Sequence, residues 1–255
     1  MRVIGIDTST ALGALGLIDG AHTLFDQSMS VRPGGAERFP VLIKKALTNI
    51  GLTPENLDLV VVGAGPGSYT GVRVGITIAK GMAFALGLPM VGVSTLYGLA
   101  ANASGRPGLI CPLLNSRRDE VYAALYFRRE TTLTEVFPAG AWSVGELCAY
   151  LQDQMASTPI LFVGEAVVSA RETISKALGA WAVFGEEQEN LVNGTTLARL
   201  GLAKWERTNR DELYTCLPLY LKRTEAEVRL EERRVQGDSP DRTDVSGRSG
   251  RGSKD

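Results

Sequence analysis

Two stretches of this chain repeat one another. Val3–Ile18 (VIGIDTSTALGALGLI) lies ungapped over Cys111–Tyr126 (CPLLNSRRDEVYAALY), and both read as apolar strand, polar turn, apolar strand. Asp7 falls on Asn115 in that alignment. Further along, Leu59–Gly63 (LVVVG) matches Ile160–Gly164 (ILFVG). A strand buried on both faces reads as a continuous apolar run. A repeated hairpin followed by a repeated buried strand therefore predicts a duplicated α/β unit. Two such lobes facing each other enclose a cleft, the ordinary place for a ligand.

The first unit can be read element by element. The turn Asp7-Thr8-Ser9-Thr10 joins its first two strands, and a third strand lies near Thr23–Met29. From Ala36 to Ile50, Phe39, Leu42, Ile43, Ala46, Leu47 and Ile50 recur at helical spacing, with Pro40 tolerable only in the first turn. A buried strand ends at Gly63, a helix runs from about Gly71 to Leu86, a strand from Met90 to Val93, and another helix follows. The order is β-β-β-α-β-α-β-α. Domain limits of 1–103 and 104–194 follow. Residues 195–229 (a helix, a turn near Pro218 and a short last segment) belong to neither repeat and are expected to pack back across the first lobe.

Composition excludes several classes. The 255 residues carry 27 Lys+Arg against 28 Asp+Glu, a net charge of −1, which argues against gripping nucleic acid with a broad basic face. Cys111, Cys148 and Cys216 have neither paired nor metal-like spacing, so a secreted disulfide scaffold is not expected. The start of the chain has no signal-peptide layout. Gly81–Gly105 is uncharged and long enough to span a bilayer, but Gly87, Pro89, Gly92, Ser94 and Thr95 break it into helix end, strand and helix start. A cytoplasmic protein is expected. Residues 231–255 hold six acids, six bases and two valines as their only aliphatics, the composition of a disordered tail.

The most informative segment is Gly63-Ala-Gly-Pro-Gly-Ser-Tyr-Thr-Gly71, between a buried strand and a helix. Glycines there permit close backbone approach, and amides at a helix start can cradle an anion. Three familiar readings fail on spacing. The third glycine of a dinucleotide fingerprint is Ser68, no Gly-Lys-Ser/Thr follows, and Ser68 lies between Pro66 and Thr70 where a nucleophile elbow needs glycines. The alternative is a tight strand-to-helix turn. The helix beyond it has two apolar stripes: Val72, Ile76, Ala79, Ala83 and Leu86, then Gly75, Ile78, Met82 and Ala85. Such a helix needs cover on both sides. One cover is its own sheet; the other is either more of the chain or a partner, and the small residues favour a partner helix.

Histidine is scarce. The single one, His22, is expected on the surface, and no His/Cys cluster for a metal can be assembled. A Ser-His-Asp hydrolase would need it as base, far from any nucleophile motif. Arg117-Arg118-Asp119-Glu120 reads as a solvated hairpin turn or, opposite Asp7 in the repeat, as a lining of the cleft.

Together, IDTST, GPGSYTGVRVGITIAKG, VGVSTL, NSRRDEVYAALY and LPLYLKRTEAE resemble the TsaB family over about residues 1–228. The resemblance implies a duplicated actin/Hsp70/sugar-kinase-like (RNase H-like) α/β fold of two lobes. It also implies a non-catalytic scaffold in making N6-threonylcarbamoyladenosine at adenosine 37 of tRNA. Such a subunit pairs with a catalytic paralogue of the TsaD type and recruits a TsaE-type ATPase. The paralogue binds a metal through helix histidines, whereas GGAERFPVLIKKAL here has none. Partner contacts would involve Glu37, Val41, Lys44, Tyr69, Val72, Arg73, Gly75, Ile76, Ala79, Lys80 and Ala83. Cleft or nucleotide contacts would fall on Asp7, Thr8, Ser9, Gly65, Gly67, Ser68, Thr70, Arg117 and Arg118.

The chain alone is expected to hold no metal or cofactor, with any ATP or ADP at the partner interface. It is expected to meet tRNA only through the complex and to self-pair when the partner is absent. One departure is the hairpin turn: the family's Asp-Ala-Arg is Asn115-Ser116-Arg117 here. Two rival readings are an independent small-molecule kinase or ATPase of the same superfold, motivated by Asp7 and the two polar turns, and a peptidase.

Overall fold

The computed structural model describes residues 1–31, 38–103, 105–117, 119–155 and 158–222, and Met1–Leu221 form one compact unit. The segment read as a tail lies outside the described residues.

The duplication is complete. The first sheet holds β1 (Arg2–Asp7), β2 (Leu12–Asp19), β3 (His22–Ser30), β4 (Leu59–Gly63) and β5 (Met90–Val93), in the order β3-β2-β1-β4-β5. The second holds β6 (Gly108–Asn115), β7 (Glu120–Arg129), β8 (Thr132–Ser143), β9 (Ile160–Val163) and β10 (Ala182–Phe184), in the equivalent order β8-β7-β6-β9-β10. In each, an antiparallel meander adjoins two parallel strands. Three helices accompany each sheet in sequence: α1 (Phe39–Asn49), α2 (Tyr69–Leu86) and α3 (Thr95–Asn102), then α4 (Val144–Gln154), α5 (Val167–Leu178) and α6 (Gly194–Thr208).

Local chemistry sets the helix ends. The Ser68 hydroxyl accepts from the Gly71 amide at the start of α2, and Gly87, with φ +65°, closes the helix in the left-handed conformation. Ser143 and Glu146 cap α4 reciprocally. Pro40 sits in the first turn of α1, which starts at Phe39; residues 32–37 lie outside the described residues. Gly81–Gly105 divides into the end of α2, β5 and α3 as expected, and among the described residues no helix is long and apolar enough to cross a membrane.

Strand alternation sorts the apolar side chains into three clusters. From the first sheet, Ile4, Ile6, Leu15, Leu17, Val60 and Val62 point outward against α1 and α2. From the second, Cys111, Leu113, Ala123 and Leu125 point outward against α4 and α5. The inner faces, including Val3, Ile18, Val61, Ile110 and Val163, share one core with α3 and α6 between the sheets. The layers run α/β/α/β/α.

The central helices change sides. α3 follows the first sheet in sequence but packs on the second, against β6, β7 and β8; α6 packs on the first, against β1, β2 and β4. The helix expected to belong to neither repeat is thus the third helix of the second one. It sits close to the sheet: Gly5 and Gly16 pair across β1 and β2, and a Cβ on Gly16 would lie 2.1 Å from the Gly194 carbonyl carbon and the Thr195 nitrogen. Ala198 and Gly201 continue this small-residue stripe, a Cβ on Gly201 falling 2.2 Å from Val61.

Candidate functional site

Two regions gather the residues singled out in the sequence: the end of β1 with the glycine loop, and the outer face of α1 and α2.

At the first, the backbone of the glycine loop is pressed against the β1–β2 turn. Ser68 N donates to Ser9 O at 2.7 Å, and the Thr8 hydroxyl donates to Gly71 O at 2.6 Å. A Cβ on Gly67 would lie 2.4 Å from Ser9 O, and one on Gly71 2.1 Å from Thr8 O. Gly65 has φ +90° and precedes Pro66 through a cis peptide bond. The glycines therefore serve close contact with the chain's own turn.

Asp7 is fully buried beneath that contact. Its Oδ1 accepts from the Ser9 amide and hydroxyl, both at 2.6 Å, and its Oδ2 accepts from the Thr95 hydroxyl at 2.7 Å. Gly63 leaves room for it, since a Cβ there would fall 1.8 Å from Oδ2. Burial pushes the Asp7 carboxyl above the ordinary carboxylate range, against the lowering effect of the Ser9 and Thr95 hydrogen bonds. Glu165, from the second lobe, pushes in the same upward direction while its Oε2 accepts from Ala11 N at 3.2 Å. Thr8 and Ser9 are buried as well; Gly65 is buried, Gly67 half-buried, and Ser68 and Thr70 exposed.

Asn115 ends β6 as Asp7 ends β1, but it is exposed. It lines a hollow of about 510 Å³ of mixed polar and apolar lining, with Ser116, Asp119, Val121, Ser143 and Val144 among its walls. Arg117 is exposed on the turn, Arg118 lies outside the described residues, and Glu120 opens β7. His22 is exposed at the start of β3. The thiols of Cys111, Cys148 and Cys216 are buried, and burial pushes each upward. Among the described residues no group of three or more His, Cys, Asp or Glu could hold a metal ion.

The outer face of α1 and α2 is the larger feature. An apolar groove of about 590 Å³ runs between the helices, floored by Ile43 and Leu47 of α1 and by Ile78, Met82 and Ala85 of α2. Leu52 and Pro54 also line it. Of the residues expected at a partner contact, Val41, Lys44, Tyr69 and Arg73 are exposed and Lys80 is half-buried. Five others are corrected by the structure. Val72, Ile76, Ala79 and Ala83 are buried against the chain's own first sheet, and Gly75 is covered by the Thr8 hydroxyl, which a Cβ there would meet at 2.6 Å. That stripe is core; the outward stripe is Ile78, Met82 and Ala85. Glu37 lies outside the described residues.

A strap flanks α2 on its other side. Residues 211–216 cover the edge of β5: Asp211 accepts from Met90 N at 3.0 Å, and Glu212 accepts from Gly92 N at 2.9 Å and pairs with Lys204. Leu219 N then donates to Ala64 O at 2.8 Å, and the Tyr220 ring stacks on Tyr69 with centroids 5.1 Å apart. Thr95 lies in the VGVSTL stretch and Leu217–Tyr220 in the LPLYLKRTEAE stretch that carried the resemblance, but neither was given a role there, and Glu165 was not singled out.

A protein-family model described as TsaD, tRNA N6-adenosine threonylcarbamoyltransferase, matches residues 34–230. The tRNA threonylcarbamoyladenosine biosynthesis protein TsaB of Bacillus subtilis is 30% identical over 229 residues, covering 90% of this chain and 97% of that one. The chain belongs to the TsaB family. Escherichia coli TsaB is 31% identical over 190 residues, 73% of this chain and 76% of its own length. Among solved structures, a Pseudomonas aeruginosa protein described as similar to peptidase YeaZ superposes with a TM-score of 0.74 at 22% identity, covering 87% of this chain and 99% of that one. The TsaB-family chain thus shares the fold of that protein, a duplicated α/β unit with one five-stranded sheet in each half.

Proposed function

We propose that this chain is the non-catalytic subunit of the assembly that makes N6-threonylcarbamoyladenosine on tRNA in the cytoplasm. It works by pairing with a TsaD-type catalytic paralogue, and the pair recruits a TsaE-type ATPase. The observation that carries the reading is the apolar groove between α1 and α2, on a helix pair whose inner sides are already packed on the sheet. Exposed apolar surface of this kind, rimmed by polar residues, marks a contact site for another protein. Asp7, the group that motivates the kinase rival, is enclosed by Ser9, Thr95 and Gly63. Any ATP or ADP is accordingly assigned to the partner interface, and tRNA contact to the assembly.

Reconstitution tests the reading. With tRNA, threonylcarbamoyl-AMP, the paralogue and the ATPase, threonylcarbamoyladenosine is expected by mass spectrometry only when this chain is added. Equal yield without the chain, or product from the chain alone, would reject the proposal. A single substitution tests the surface. Ala85 is exposed in the groove, so Ala85→Arg should leave the melting temperature unchanged and weaken the paired complex by roughly 100-fold, the effect of filling a central contact with a desolvated charge. Unaltered affinity in a calorimetric titration would move the docking surface elsewhere.

A further inference from the structure

The two halves treat one corner of the repeat differently. Counted from the first residue of each helix, Val72 and Ile76 of α2 match Ala170 and Ile174 of α5, and all four are buried against their own sheets. The residues just before them, Gly71 and Gly75 in α2, are therefore matched by Ser169 and Thr173 in α5. In the first half the glycines let the β1–β2 turn close on the helix. The Thr8 hydroxyl donates to Gly71 O, and a Cβ on Gly75 would meet that hydroxyl at 2.6 Å. In the second half both places carry exposed side chains. Ser169 and Thr173 line the hollow of about 510 Å³ together with Asn115 and Ser116 of the β6–β7 turn. One corner is filled by the chain's own turn, and its counterpart is open.

The polar groups of this hollow are largely uncommitted. The Asn115 amide, the Asp119 carboxylate and the Thr173 hydroxyl have no hydrogen-bond or ion-pair partner among the described residues. The Ser116 hydroxyl oxygen is buried without a partner, an exception to the rule in folded chains. The Ser169 hydroxyl donates to Ala166 O at 3.1 Å and keeps its capacity to accept. Among the described residues, Asp119 and Glu120 line the hollow and no Lys, Arg or His does, so an anionic ligand would meet like charge. Val121 and Val144 supply apolar wall.

We propose that this hollow is a small-molecule site for a neutral polyhydroxylated ligand, a free sugar or the ribose of an unphosphorylated nucleoside. Adjacent ring hydroxyls need groups that accept and donate within a short reach. The carboxylate accepts, the amide does both, and the side-chain hydroxyls turn to suit. The C–H face of a ring packs on the valines, and the volume lies in the range of small-ligand sites. The hollow shares no residue with the α1–α2 groove, so the inference stands apart from the pairing reading.

Titration of the full chain, followed by ligand-observed and protein-observed NMR, tests this with ribose, glucose, adenosine, AMP and glucose phosphate as probes. At least one neutral probe should bind saturably with a dissociation constant of about 1 mM, the affinity that a ligand of this size reaches at modest efficiency per atom. Adenosine tighter than ribose would assign the site to a nucleoside; glucose or ribose at least as tight as adenosine would assign it to a free sugar. AMP and glucose phosphate should bind at least about tenfold more weakly than their neutral parents. Shifts should fall on the β6–β7 turn and the start of α4. Asp119→Ala/Thr173→Val changes two exposed residues and should weaken binding at least about tenfold with an unchanged melting temperature. Gly145 also lines the hollow, and a Cβ there meets nothing within 4 Å, so Gly145→Phe should obstruct the ligand without lowering the melting temperature. No saturable binding of any neutral probe, phosphorylated probes as tight as their parents, shifts confined to other regions, or full affinity in both variants would each overturn the proposal.

Discussion

Gly16→Val is expected to destabilise the chain by about 3 kcal/mol, the upper part of the usual range for overfilling a packed site. The reason is that no side chain stands in the way to be moved. Gly16 faces the backbone of α6 at Gly194 and Thr195, and its partner across the ladder, Gly5, faces Gly194 O at 2.3 Å from a would-be Cβ. Relief requires lifting the start of α6 from the sheet. That start is held by Asn193, whose side chain accepts from Thr196 N at 2.8 Å and donates to Asp26. For a unit of this size the melting temperature should fall by roughly 6–12 °C. Gly145→Ala is the control: a Cβ there has nothing within 4 Å, and exchange of glycine for alanine in a helix should be neutral or stabilising. Equal melting temperatures for Gly16→Val and wild type would refute the close approach of α6.

Asp7 gives the second large effect, and its sign depends on the replacement. Asp7→Ala removes the acceptor for the Ser9 amide and for the Ser9 and Thr95 hydroxyls. The hydroxyls stand 3.2 Å apart and can turn to each other, but the buried amide is left unpaired. A loss of about 3 kcal/mol is expected, from an orphaned buried donor plus the lost hydrogen bonds to the carboxyl. Asp7→Asn keeps an acceptor toward Ser9 and places its amide against the Thr95 oxygen, which can accept.

The Asn variant also removes a titration. Because the folded-state pKa of Asp7 is raised, the folded chain binds its proton more tightly than the unfolded chain does. The contribution is fully present below the unfolded value of 3.8 and is lost as pH rises through the raised value. The stability of wild type relative to Asp7→Asn should thus decline from acid toward neutral pH and then level off. A difference that stays constant across pH, in paired denaturant titrations, would show that the carboxyl is not shifted.

The fold was legible where burial leaves continuous apolar runs. Leu59–Gly63 is buried at every position and Met90–Val93 likewise, and both read correctly as strands. The duplication was legible from its two hairpins. The place of α6 was not, because the strand before it, Ala182–Phe184, is three residues long and half-buried, too short to show any period.

The site was read in part. The two apolar stripes of α2 are real, but periodicity cannot say which stripe takes the sheet. That choice is made by Val60 and Val62 of β4, which pack against Val72, Ile76, Ala79 and Ala83. Gly75 was assigned outward because its cover, Thr8, comes from a turn far away in sequence. Asp7 was found by its place in the repeat, whereas its partner Thr95 is 88 positions distant and belongs to a different element.

The crossing of α3 and α6 bears on how such a chain arose. One β-β-β-α-β-α-β-α unit on its own would bare the inner face of its sheet, because the helix that covers that face is borrowed from the other half. A half-length ancestor of this design could bury the face only by exchanging its last helix with a twin. Fusing two such units would make the exchange internal and release each half from having to match itself. The two corresponding strand ends do differ in this chain: Asp7 is buried and Asn115 is exposed.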